Sequence, residues 1–347
     1  LSPQVLKLGD LRNQWVKSRK EFRFGCSNAL IPGIQRCLSW LIGKIIPDAM
    51  ETIDPNAVGR RSKDASRPWT WSIAMYSGPS PLRMAAAAGA SNPVISAADV
   101  IDVPARFVAD PFMVNVDGLW HMFFEVLNNQ SNKGDIGRAT SQDGLTWRYE
   151  RIVLQEPFHL SYPYVFRWND NFYMTPETLG ANAVRLYRAT SFPDQWTLVK
   201  DLIPGPQADP SIFQHGGKWW LFTCPTPHKH DTLALYSADD PASTWTEHPS
   251  SPIIAGNKSV ARPGGRVLDY DGRLLRFTQD CYPTYGKQVR AFEITELTTT
   301  TYKEHEIEES PVLVPDGSSW NASGMHHIDA HRINGSWLAC VDGLVDF

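Results

Sequence analysis

From Ala109 onward the chain alternates apolar and polar positions with the two-residue period of strands, in aromatic-rich runs that each follow a tight-turn dipeptide. Asp117-Gly118 precedes Leu119-Trp120-His121-Met122-Phe123-Phe124-Glu125, and Asn169-Asp170 precedes Asn171-Phe172-Tyr173-Met174. Gly216-Gly217, Asp271-Gly272 and Asn334-Gly335 open the next three runs. These dipeptides tolerate the positive φ of two-residue hairpins, so each unit is predicted to begin strand, turn, strand. Before each hairpin a short phrase recurs: Ala109-Asp110-Pro111-Phe112, Ser161-Tyr162-Pro163-Tyr164, Ala208-Asp209-Pro210-Ser211, Ala261-Arg262-Pro263-Gly264 and Met325-His326-His327-Ile328. The prolines at 111, 163, 210 and 263 lie 52, 47 and 53 residues apart, a spacing that signals propeller blades. Third and fourth strands are legible before Trp147, Trp196 and Trp245. An all-β, five-bladed β-propeller follows. The fifth unit runs out of chain after two strands, so an N-terminal strand at Trp69–Tyr76 is expected to complete it and leave no open edge.

Residues 1–68 break this pattern. Ile34, Leu38, Leu41 and Ile45 recur at helical spacing up to Pro47, and 56–67 reads as a polar linker. We therefore expect a partly helical N-terminal extension over 1–68 and the propeller over 69–347. With 42% hydrophobic residues the chain can fill a core, and Lys+Arg 33 against Asp+Glu 37 excludes the charge of a nucleic-acid binder. No run reaches the ~18 apolar residues of a membrane helix, so any membrane association is expected from flanking segments outside this chain. Five cysteines without CxxC spacing argue against a zinc or redox pair; Cys224, Cys281 and Cys340 read as small buried residues. Sequons at Asn129, Asn257, Asn321 and Asn334 tilt the compartment toward the secretory pathway.

In a propeller, equivalent positions of the innermost strands meet on the axis. That places Asp110, Tyr162, Asp209, Arg262 and His327 in one polar ring of unlike side chains, which points to a site. Tyr162, Tyr164, Trp168 and Trp220 offer apolar faces to sugar rings, Arg262, Arg266 and His327 suit acidic or hydroxyl groups, and Asp329 is counted with them as a substrate-binding residue. Most repeat aromatics are nonetheless expected between blades. No metal or cofactor is expected: adjacent histidines of a strand face opposite ways, so at most one of His326 and His327 joins a ligand set that includes Asp329 and His331.

The Ala-Asp-Pro openings of units one and three resemble the five-bladed propellers of glycoside hydrolase families 43 and 32. By that resemblance Asp110 matches the general base and Asp209 the residue that modulates the acid's pKa. The fourth phrase has Arg262 where the acid's Glu would stand, and an arginine cannot donate a proton usefully at neutral pH. Arg262 would instead bind an anionic group bidentately, and Glu177 and Glu125, each ending a second strand, are the substitute acids.

A further resemblance covers Trp71 to Gly343. Trp71-Ser72-Ile73, Gly78-Pro79-Ser80-Pro81, Val108-Ala109-Asp110-Pro111-Phe112, His159-Leu160-Ser161-Tyr162-Pro163-Tyr164, Gln279-Asp280-Cys281 and His326-His327-Ile328-Asp329 look like the N-terminal domain of plant glucosamine inositolphosphorylceramide transferases. That resemblance implies a Golgi or secretory setting, a glycan or glycolipid headgroup as partner, and a separate C-terminal transferase domain in a longer protein. Two functions follow as expectations: a carbohydrate-recognising module, or a glycosidase acting through two carboxylates.

Overall fold

The computed structural model describes residues 69–346. The expected helix at 34–46, the linker at 56–67, Cys26 and Cys37 lie outside the described residues. Among the described residues, twenty strands form five four-stranded antiparallel sheets. The first two, β1 (Trp69–Ser80) and β2 (Arg83–Ala86), belong to the last blade. Blade one is β3 (Ala105–Val116), β4 (Leu119–Asn128), β5 (Lys133–Ser141) and β6 (Arg148–Leu154). Blade two is β7 (Ser161–Trp168), β8 (Asn171–Glu177), β9 (Ala183–Ser191) and β10 (Gln195–Pro204). Blade three is β11 (Ala208–His215), β12 (Lys218–Cys224), β13 (Ala234–Ala238) and β14 (Thr246–Glu247). Blade four is β15 (Leu268–Tyr270), β16 (Arg273–Asp280), β17 (Gln288–Leu297) and β18 (Tyr302–Glu306). Blade five begins with β19 (Ile328–Ile333) and β20 (Ser336–Asp346) and is completed by β1 and β2.

All five turn dipeptides adopt positive φ at both residues, from Asp117 and Gly118 to Asn334 and Gly335, and each joins the first two strands of its blade. This backbone twist matches that of the flanking strands. The predicted closure also holds: β1 pairs with β20 in unbroken register from Trp69↔Asp346 to Gly78↔Trp337. The sheet circle is thus joined by hydrogen bonds between the two ends of the described chain. Apolar positions on alternate strand residues fill the gaps between successive blades. Phe112, Tyr164, Tyr173 and Trp219 pack between the first three blades, while Ile73, Met75, Met122 and Cys340 pack between the fifth and the first. The indoles of Trp147, Trp196 and Trp245 each donate to a turn carbonyl just before them, so the repeated tryptophans tie down the outer turns. Cys224, Cys281 and Cys340 are free and buried. Asn321 is buried, which removes it as a glycan acceptor, whereas Asn129, Asn257 and Asn334 are exposed.

Ring closure makes the N-terminal strand part of the core. Ile73→Ala, at a fully buried position of β1, should cost about 2–5 kcal/mol in urea denaturation. Leu198→Ser, on the exposed outer strand of blade two, should shift the midpoint little.

Candidate functional site

The opening phrases share a backbone device that no composition rule shows. In blades one, two and three the register slips by one residue, between Ala109 and Phe112, Ser161 and Tyr164, and Ala208 and Ser211. The first residue inside each slip is left-handed: Asp110 at φ 54°, Tyr162 at 48° and Asp209 at 50°. Such bulges re-aim a side chain. Aspartate accepts this conformation readily, whereas a buried tyrosine there is strained. Tyr162 is anchored instead: its hydroxyl bonds to Ser211 Oγ at 2.8 Å, donates to the Gly265 carbonyl at 3.1 Å and accepts the Gly265 amide at 2.7 Å. Gly265 itself sits at φ 143°, and a Cβ there would meet the Ile328 carbonyl at 1.9 Å.

Arg262 spans three blades. Nε donates to Asp209 Oδ2 at 2.5 Å, and one terminal nitrogen donates to Asp209 Oδ1 and Glu177 Oε2, both at 3.2 Å. The other terminal nitrogen reaches the Pro227 carbonyl at 3.1 Å and His230 Nδ1 at 2.9 Å. All five N–H groups are therefore engaged within the protein, which leaves no free fork for the external anion expected from the sequence. Gln279 adds a bond to Asp209, and the Asp209 amide donates to Glu177 Oε2 at 3.2 Å. Burial and the neighbouring Asp209 push Glu177 up to about 8, although Arg262 opposes them.

On the other side of the hub stands Asp342, which the sequence analysis missed. Its Oδ1 accepts the amides of His326 and His327 and pairs with His326 Nδ1, while Oδ2 accepts the Asp110 amide at 3.0 Å. The signal was present: a carboxylate also stands late in the second strand of blades one and two, at Glu177, which ends β8 as expected, and at Glu125, which the structure places three residues before the end of β4. His326 stacks on Trp71 from β1 at 4.0 Å, so the closing strand also furnishes a wall of the hub. His326 Nε2 lies 3.8 Å, and His327 Nδ1 4.0 Å, from the same Asp110 Oδ1. Both rings thus face one carboxylate, contrary to the alternation expected of a strand, because His326 and His327 precede β19.

Asp110 is raised well above the usual carboxylate range by burial first, then by Asp209, Asp342 and Glu125. Burial lowers His327 to about 4. Asp110, His326 and Asp342 bring ligand atoms within 4.8 Å of one another, but both Asp342 oxygens already hold amides and a ring nitrogen, which disfavours them as a metal set.

The other predicted residues fall in neighbouring layers. Glu125 lies on the flank facing His159 Nε2 at 3.1 Å. In the next layer, Arg266 pairs with Asp329 at 2.6 Å and lies over the Tyr164 ring at 4.7 Å. Asp329 also accepts the Met113 amide and pairs with His331. Burial would raise Asp329, but Arg266 and His331 outweigh it and hold its carboxyl low. Tyr162, Tyr164 and Trp220 are buried, and Trp168 packs against the core, so their faces are covered by protein.

Two measurements check this account. Arg262→Ala leaves Asp209 and Glu177 uncompensated and should cost about 3–5 kcal/mol of folding stability. Glu177 binds its proton more tightly folded than unfolded, so stability should fall as pH rises from about 4.5 to about 8. His327 has the opposite sign and loses stability as pH falls below about 6.5. Melting curves between pH 6.5 and 8.5 lie above the His327 window; Asp110 and His159 share the sign of Glu177, so Glu177→Gln should reduce the slope there without abolishing it.

Residues 64–344 match the family model "Glucosamine inositolphosphorylceramide transferase 1, N-terminal". The chain is 39% identical over 296 residues to glucosamine inositolphosphorylceramide transferase 1 of Oryza sativa subsp. japonica, covering 79% of this chain and 40% of that protein. The Arabidopsis thaliana protein of the same name is 36% identical, covering 79% and 39%. The chain thus spans about two fifths of the length of these relatives. Among solved structures, a putative glycoside hydrolase from Parabacteroides distasonis superposes with a TM-score of 0.55 at 13% identity, covering 74% of this chain and 95% of that one. A putative glycosidase from Bacteroides thetaiotaomicron gives 0.52 at 14% identity, covering 77% and 96%. At such identity the likeness concerns the fold alone. The chain belongs to the family formed by the N-terminal region of glucosamine inositolphosphorylceramide transferase 1.

Proposed function

We propose that this propeller is a carbohydrate-recognising domain and that its ligand enters the hub beside Asp110 and His327. One observation carries this reading. Asp110 Oδ1 and both ring nitrogens of His327 are buried without a hydrogen-bond partner, and His327 Nδ1 lies 4.0 Å from that oxygen. An unpartnered buried polar group costs about 1–3 kcal/mol, so such groups persist where something outside the chain satisfies them. A hydroxyl both donates and accepts, which suits a carboxylate oxygen beside a neutral imidazole. Sugar rings present several hydroxyls at fixed spacing. The relatives' names concern sphingolipid glycosylation, and we infer for this chain a secretory or Golgi setting, a glycan or glycolipid headgroup as partner, and a transferase domain elsewhere in a longer protein.

A second reading is a glycosidase with Asp110 as base, Asp209 as modulator, and Glu177 or Glu125 as acid. The raised pKa of Glu177 favours it, since an acid must hold its proton at neutral pH. Against it, the Glu177 carboxylate is already held by the Asp209 amide and Arg262.

Calorimetric titration against a panel of neutral mono- and disaccharides tests the first reading. The unaltered protein should bind at least one, and Asp110→Asn should weaken it about tenfold or more. Absence of binding across the panel would refute it. Turnover of chromogenic glycosides, lost in Glu177→Gln, would move the conclusion to the hydrolase.

A further inference from the structure

The hub is ringed on the side of blades three and four by three loops, 225–232, 255–260 and 281–287. They are bonded to one another and to the site. The Asn257 amide donates to the Asp231 carbonyl at 3.0 Å and the Cys281 amide to the Lys258 carbonyl at 2.9 Å. Arg262 reaches up to the Pro227 carbonyl and His230, and its guanidinium lies 5.2 Å over the Tyr285 ring. The Tyr285 ring in turn packs on His230 at 5.1 Å and on His326 at 5.4 Å. The loops therefore form a fixed lip directly against the hub.

Their side chains differ in charge from the hub they border. His228, Lys229 and Lys258 are exposed, and Tyr282 is 66% exposed. The three loops contain one acid, Asp231, whose Oδ1 accepts the hydroxyls of Thr226 and Thr232. His230 accepts from Arg262 through Nδ1, which leaves its proton on Nε2. Burial first, then Arg262, Lys258 and His228, push it down to about 3, so cations crowd this ring. Below the lip, the hub carboxyls are internally compensated: Asp209 by Arg262, Asp342 by His326, and Glu177 and Asp110 by their raised affinity for a proton. The exposed, unpaired positive charge therefore lies on the loops, and anionic groups are drawn there.

We propose that the loops 225–232, 255–260 and 281–287 form an anion-binding lip, so that the ligand is a glycan whose neutral ring enters the hub while a phosphate or carboxylate substituent rests against His228 and Lys258. This rests on the reading of the hub as a carbohydrate site. The exposed Tyr282 ring offers an apolar face to the part of the ligand outside the hub. Such chemistry is shared by soluble sugar phosphates, uronic acids and anionic lipid headgroups.

The test uses the full chain produced in bacteria, so that Asn257 carries no glycan. Glucose, glucose 1-phosphate, glucuronic acid and inorganic phosphate are titrated separately at low and high salt. The anionic sugars should bind about tenfold more tightly than glucose, and the advantage should vanish at high salt. Lys258→Gln combined with His228→Gln should reduce that affinity about fivefold and leave glucose unchanged. Equal affinity for glucose and the anionic sugars overturns the lip but keeps the hub, provided Asp110→Asn still weakens glucose binding. Inorganic phosphate binding as tightly as glucose 1-phosphate also overturns it. Failure of every sugar removes both readings. Sedimentation with phosphatidylinositol-containing vesicles, against pure phosphatidylcholine, assigns the anion to a lipid if only the former bind and to a soluble sugar if neither does.

Discussion

The grip of Arg262 on Asp209 and Glu177 is the constraint on which the hub depends. The three side chains come from blades four, three and two, and all are nearly excluded from water. Two carboxyls at this depth repel each other and each loses hydration, so both cannot stay charged there. Arg262 holds Asp209 as its ion-pair partner, Glu177 keeps a raised affinity for its proton, and the guanidinium uses every donor it has, two of them on the loop at Pro227 and His230. A buried ion network of this sort contributes little net stability compared with an apolar core of equal volume. Its effect is to fix blades two, three and four around the axis in one arrangement.

Asp342 plays the corresponding part for blades five and one. It gathers amides from Asp110, His326 and His327 and orients the His326 ring toward Asp110. Between these two clamps Asp110 and His327 stand unsatisfied. The hub is thus rigid where it is paired and open to hydrogen bonding where it is not, which suits recognition of a ligand with a fixed pattern of hydroxyls. The same division leaves the Arg266–Asp329 pair and Tyr164 as a packed layer further along the axis.

The repeat, the five hairpin turns, the strand that closes the ring and the meeting of Asp110, Tyr162, Asp209, Arg262 and His327 at equivalent places were legible in the sequence. Each follows from local rules: period-two alternation, dipeptides that accept positive φ, and recurrence near fifty residues. These rules say which residues share a ring, because ring membership is a matter of position along the strand. They carry no information on what each side chain touches once there.

Partnership was decided by the tertiary structure. A one-residue slip in three inner strands turns Asp110, Tyr162 and Asp209 into the left-handed region, and nothing in alternation predicts that. Arg262 reads in sequence as a free anion binder and becomes, once blades two and three stand beside it, the internal counter-ion of Asp209 and Glu177. His326 and His327 read as opposed neighbours and instead face one carboxylate, since they lie before the strand whose pleat would separate them. Local sequence rules are enough for the wheel and the membership of its hub; electrostatic pairing across blades, which couples residues tens of positions apart through short distances in a dry interior, was fixed only by the fold.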